Sequence, residues 1–175
     1  RSTFTNNEGT SITSDDKISY DKVITGVAYS KDDAKITLIG VEDRPGIAAS
    51  IFKPLYENNI SVDMIVQNVS ADNKKTDVTF TIKREDLDKS VNFIKKNSNL
   101  KFEKITFDDK VAKVSIVGAG MITHPGVAFK MFKALSDQNI NILVISTSEI
   151  KISVLIDENQ TQKAVVAIHT AFDLD

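Results

Sequence analysis

PGIAASIFKPLYENNISV, residues 45–62, returns as PGVAFKMFKALSDQNINI at 125–142. Pro, Gly, Ala, Phe, Lys, Leu, Asn and Ile recur in register at 45/125, 46/126, 48/128, 52/132, 53/133, 55/135, 59/139 and 60/140. Upstream, AKITLIG (34–40) lies over AKVSIVG (112–118) at an offset of 78, against 80 after the turn, so the second turn carries a two-residue insertion. A period of this length means one supersecondary unit used twice.

Each unit has its own pattern. In the first, a strand is predicted at 35–41, a helix at 45–58, strands at 61–69 and 76–83, a helix at 85–97 and a strand at 102–108. Ile47, Ala48, Ile51, Phe52 and Leu55 share one helix face, as do Leu87, Val91 and Ile94. Val78, Phe80 and Ile82 alternate with Asp77, Thr79 and Thr81, so one sheet face is apolar. The order is βαββαβ. In the second unit, a strand at 111–117, a helix at 125–138, strands at 141–147 and 150–156 and a helix at 158–171 leave the closing strand missing. Asp157 with Gln160 is expected to cap the last helix.

VITGVAY, residues 23–29, is a strand with no partner in the first unit, and is therefore expected to cross over and complete the second sheet. The expected division is a polar lead-in at 1–19, a crossing strand at 20–33, a first module at 34–109 and the remainder of the second at 110–175. Pro54 sits inside the first helix where the second has Ala134, and a bend near Ser50 is expected.

Composition narrows the function. With 26% charged and 41% hydrophobic residues, the 175-residue chain is an ordinary globular protein, long enough for two small modules. A formal net charge of −2, with lysines scattered among acids, gives no footprint for nucleic acid. No apolar run approaches a membrane span, and RSTFTNNEGTSITSDDK lacks a signal-peptide core, so a cytoplasmic location is expected. The absence of cysteine removes disulfides, thiolate metal sites and a thiol nucleophile together. The first methionine is Met64, so a longer or processed parent is expected.

The Pro-Gly turns carry the chemistry. A helix N-terminus has unsatisfied amides and a partial positive charge, suited to a carboxylate or phosphate, and glycine lets a ligand approach the backbone. In SVDMIVQNVS (61–70), alternation is expected to send Val62, Met64 and Val66 to one face and Asp63, Ile65 and Gln67 to the other. An acid, an amide and a helix N-terminus together suit a free amino acid. The second unit has Leu143 in place of Asp63 and Thr147 in place of Gln67, with Ser148 and Glu149 just beyond, so the two sites are not equivalent.

Other constellations fail. GAG at 118–120 lacks the third glycine of a dinucleotide fingerprint, and no Walker sequence occurs. His124 and His169 have no carboxylate at metal-ligand spacing, so no metal is expected, and no nucleophile with a base is recognisable.

AKITLIGVEDRPGIAASIF, ISVDMIVQNVS, TDVTFTI, KVSIVGAGMITHPGVAFKMF and NILVISTSEIKISVLI resemble the C-terminal regulatory region of aspartate kinase, which is built of two ACT domains. The resemblance runs from about residue 20 to 172, and RSTFTNNEGT is similar to the end of the kinase domain. It implies an α+β pair of ferredoxin-like βαββαβ ACT domains, the second discontinuous and completed by the N-terminal strand. It further implies side-by-side homodimerisation through the ACT domains, and feedback inhibition by threonine, lysine or both. The kinase chemistry, in which ATP phosphorylates aspartate, would belong to a catalytic domain or subunit outside this chain. No cofactor and no catalytic residue are expected within it.

Carried over residue by residue, the first effector site would use Asp43, Gly46, Ile47, Ala48, Asp63 and Gln67, with Asn141 and Ile142 from the partner. A second would use Met121, His124, Gly126, Val127, Ser148 and Glu149, with Ser61 and Val62 across the interface. Ala128 and Leu143 stand where some relatives have a hydroxyl and an acid. Two rivals share the topology: a free-standing ferredoxin-like enzyme such as a small phosphatase, and an RNA-binding module, which the acidic balance and missing strand aromatics disfavour.

Overall fold

The computed structural model describes residues 23–69 and 74–174. Its elements run β1 (Gly26–Ser30), β2 (Asp33–Glu42), α1 (Ile47–Glu57), β3 (Val62–Val69), β4 (Lys75–Lys83), α2 (Leu87–Lys96), β5 (Lys104–Asp108), β6 (Val111–Val117), α3 (Val127–Asp137), β7 (Val144–Thr147), β8 (Lys151–Asp157) and α4 (Thr161–Ala171). The strands form two antiparallel sheets, ordered β3-β4-β2-β5 and β1-β6-β8-β7. β1 therefore takes in the second sheet the place β5 holds in the first, pairing Val27 with Ile116 and Tyr29 with Val114. The crossing strand needs room. A Cβ on Gly118 would lie 2.2 Å from the Val23 carbonyl oxygen and 2.7 Å from the Ile24 Cα, so the first glycine of GAG is a packing residue.

Each sheet buries one face under its own helices, as the apolar spacing requires. Ile36, Leu38, Phe80 and Ile82 meet Ile51, Leu55, Val91 and Ile94 in the first module, and Val114, Ile116, Val154 and Ile156 meet Met131, Leu135 and Ile168 in the second. Burying each such side chain contributes about 1.5–3 kcal/mol.

The repeated Leu, Asn and Ile close both first helices in the same way. Asn59 and Asn139 adopt φ 56°, the left-handed conformation that asparagine tolerates better than most side chains. The Ile60 amide donates to Leu55 O at 2.9 Å and the Ile140 amide to Leu135 O at 3.0 Å, which satisfies carbonyls at the helix end.

Several expected boundaries move. The helices at 85–97 and 158–171 begin with short 3-10 turns, Arg84–Asp86 and Glu158–Gln160, before α2 and α4 start. Asp157 caps that turn, accepting from the Asn159 amide at 2.8 Å, in place of the capping box with Gln160. The strand placed at 141–147 is confined to Val144–Thr147. α1 runs unbroken through Pro54, because the carbonyl that proline leaves without its helical donor, Ser50 O, accepts from Asn97 Nδ2 at 3.0 Å instead. Asn97 ends α2, so the compensation also ties the two helices together.

The helix-free faces of the two sheets pack on each other. Met64, Val111, Val144 and Leu155 form a third apolar cluster between the modules, with Val66 against its rim. Thr81, Ser115 and Ser153 are buried, although alternation alone marks Thr81 as solvated. Equivalent hydroxyl pairs, Thr37–Thr79 at 2.9 Å and Ser115–Ser153 at 2.8 Å, bridge neighbouring strands of each sheet. An RNA-binding module would need such a face open for stacking. No helix among the described residues is long and apolar enough to cross a membrane.

Candidate functional site

Helix α1 starts at a glycine that cannot readily be another residue. Gly46 is its N-cap at φ 85°, and no atom lies within 4 Å of where a Cβ would point, so the conformation demands glycine while the space before it stays open. The Ile47 amide is held by Arg44 O at 3.1 Å and the Ser50 amide by Gly46 O at 3.0 Å. Among the described residues no hydrogen bond ends on the amides of Ala48 and Ala49. They are the donors that a helix N-terminus offers to an anion.

A cleft of about 410 Å³ opens at this turn, lined by Asp43, Arg44, Pro45, Gly46, Ile47, Ala48 and Gln67. Gln67 reaches it from β3, where it pairs with Val78. The cleft thus brings together the free Ala48 amide, the Asp43 carboxylate, the Gln67 side-chain amide and Arg44, whose guanidinium also donates to Asn99 O at 3.3 Å and lies 3.8 Å from Glu42. Arg44 was not singled out by the sequence, though its place directly before Pro-Gly, matching His124, is the signal that marks it.

Asp63 goes elsewhere, and the expected alternation along 61–70 is corrected. The β3–β4 register shifts between Val62 and Ile65, a bulge that breaks the period of two. Val62 packs against the first core while Met64 and Val66 pack between the modules. Asp63 is ion-paired with Lys113 of β6, which also contacts Asp33 at 3.4 Å. The Lys113 side chain is 18% exposed and that of Asp33 5%. Burial pulls the Lys113 ammonium down, but the hydrogen bond it donates to Asp63 and the charges of Asp33 and Asp63 outweigh it and leave its pKa raised.

The second Pro-Gly turn repeats the backbone with different side chains around it. Gly126 caps α3 at φ 91°, again with open space at its Cβ position. The 3-10 turn Ala119–Thr123 precedes it, and His124 Nδ1 meets Gly120 O at 2.8 Å. Met121 packs against the second core, and Val127 is buried in it. Ser148 and Glu149 sit at the β7–β8 hairpin, where the Ser148 amide donates to Lys151 O at 2.7 Å. Asn141 and Ser61 are exposed, Ile142 is half-buried against the second core and Leu143 is exposed. His169 lies in the last turn of α4. Among the described residues no group of three or more His, Cys, Asp or Glu is placed to hold a metal.

Comparison with known proteins agrees with this geometry. The ACT domain model matches residues 36–97 and 114–172, one stretch in each module. The regulatory subunit of aspartate kinase from Thermus thermophilus, in its ligand-free form, superposes with a TM-score of 0.80 at 39% identity, over 86% of this chain and 99% of that one. The chain belongs to the ACT-domain family, as a tandem pair of the aspartate kinase regulatory type. A chain from the structure of aspartokinase alpha and beta subunits gives a TM-score of 0.79 at 43% identity, with 86% of this ACT pair and 99% of that chain covered. The aspartate kinase of Pseudomonas fluorescens is 48% identical over 98% of the chain. The ACT pair spans 42% of that relative's length.

Proposed function

We propose that this chain is the effector-sensing part of an aspartate kinase, binding threonine, lysine or both and restraining the phosphorylation of aspartate by ATP in a catalytic domain or subunit. The observation that carries this reading is the open cleft at Gly46. Its free amides and Arg44 suit an α-carboxylate, and Asp43 and Gln67 suit an α-ammonium and a side chain. The site is completed by Asn141 and Ile142 of a second copy. Dimerisation is supported by the edge strands β3 and β7, which leave Ile65 and Ile145 exposed, with exposed Leu143 directly before β7.

The second Pro-Gly turn, with Met121, His124, Gly126, Val127, Ser148 and Glu149 and the opposing Ser61 and Val62, is a weaker candidate. It has no counterpart to Gln67, since Thr147 takes that place.

Inhibition requires that the effector bind one arrangement of the enzyme better than another, and a coupling of about 1–3 kcal/mol suffices. The test is aspartyl-phosphate formation by the kinase that contains this chain, with threonine and lysine titrated separately and together. Inhibition by at least one, relieved by Gln67→Leu, is expected. Full activity at saturating levels of both would overturn the proposal.

A further inference from the structure

Strand β3 has a different contact on each face. Gln67 reaches the first cleft, whereas Met64 and Val66 pack against the second module and Asp63 meets Lys113 across the same boundary. Lys113 holds two carboxylates at once, and the one it shares with β2, Asp33, is almost wholly buried, with its Oδ2 lacking any hydrogen-bond partner. A buried carboxylate in that position depends on the ammonium beside it. Asp63 is not among the residues lining the cleft, and the β3 bulge is what turns it away.

We infer that Lys113 is a latch joining the first cleft to the second module, and that Asp63 acts through Lys113 as a positioning residue and not on the ligand. Strain or order imposed on β3 at Gln67 passes along one short strand to Asp63, and through the ion pair into β6 at the centre of the second sheet. The inference rests on the reading that the cleft binds an amino acid, but the latch itself is testable without ligand.

The experiment is amide hydrogen exchange on the 175-residue chain, free and with threonine or lysine, in wild type, Lys113→Gln and Asp63→Asn. Without ligand, both variants are expected to exchange about tenfold faster over Val62–Val69 and Val111–Val117. Where the wild type binds an amino acid, both variants keep its Kd within about threefold, and both lose the ligand-induced protection of Val111–Val117. Ligand-free exchange equal to wild type overturns the latch, as does a binding loss above about tenfold in either variant or protection of β6 that survives in Lys113→Gln. If neither amino acid binds the wild type, the functional reading has failed and the ligand-free comparison still decides the latch. Should Lys113→Gln not fold because Asp33 is stranded, the Asp33→Asn/Lys113→Gln double variant, which removes both charges, takes its place.

Discussion

Gly40, near the end of β2, and Gly118, directly after β6, hold equivalent positions in the two modules, and each is glycine for its own reason. Gly40 sits in a bulge at φ 66°, its amide donating to Asp77 Oδ1 at 2.8 Å, and the atoms nearest to a Cβ there belong to the Glu103 side chain, not to backbone. Gly118 is extended, yet a Cβ would strike the backbone of the crossing strand. Pro54 and Ala134 contrast similarly, since the proline helix has Asn97 to satisfy Ser50 O while α4 carries Ala171 at the matching place. What the modules share holds the fold and shapes the Pro-Gly turn; what they do not share joins them to each other or sets the polar side chains of the cleft.

The largest effect separates the two glycines. Gly118→Ala is expected to cost about 3 kcal/mol or more, because backbone has to move, whereas Gly40→Ala costs about 1 kcal/mol from its left-handed φ. Urea unfolding of both variants measures the gap, and equal costs would show that the crossing strand is not pinned at Gly118.

A cost of about 3 kcal/mol is also expected for Ala134→Pro, since among the described residues no side chain donates to Lys130 O, the carbonyl that would be freed. Asn97→Ala should cost about 1–2 kcal/mol in the wild type and less than half of that beside Pro54→Ala, where the restored amide of residue 54 takes over Ser50 O. Thermal unfolding of the four-member cycle checks this, and additivity would remove Asn97 from its compensating role.

The smallest effect is electrostatic. Because the folded Lys113 pKa is raised, the stability it contributes is fully present below about pH 10.4 and is lost as pH rises through the raised value. Wild type should therefore lose stability more steeply than Lys113→Gln in alkaline solution. Parallel curves would mean that Lys113 is not an ion-paired buried group.

The two-module architecture was legible because the repeat placed Pro-Gly, Leu55/Leu135, Asn59/Asn139 and Ile60/Ile140 at positions where local backbone geometry decides the outcome. The crossover of residues 23–29 followed from counting strands. Beyond local geometry the sequence was silent. The bulge at Val62–Ile65 breaks an alternation that assumes a regular strand, and it moved Asp63 from the expected cleft to Lys113, a partner 50 residues away. Asn97 and Ser50, 47 residues apart, meet only once two helices pack. Thr81, polar in an alternating strand, is buried because a second module covers it. Of the cleft, Gly46 and Gln67 were legible, Asp43 came through family resemblance, and Arg44 had only its place directly before Pro-Gly to mark it.

The most direct measurement is isothermal titration of threonine and of lysine into the 175-residue chain, comparing Gln67→Leu in the first module with Thr147→Leu at its equivalent in the second. Saturable heat from at least one amino acid, weakened at least tenfold by Gln67→Leu and little changed by Thr147→Leu, is expected, a difference of about 1.4 kcal/mol or more. No heat from either amino acid, or equal losses in both variants, would contradict a ligand site at the Gly46 turn.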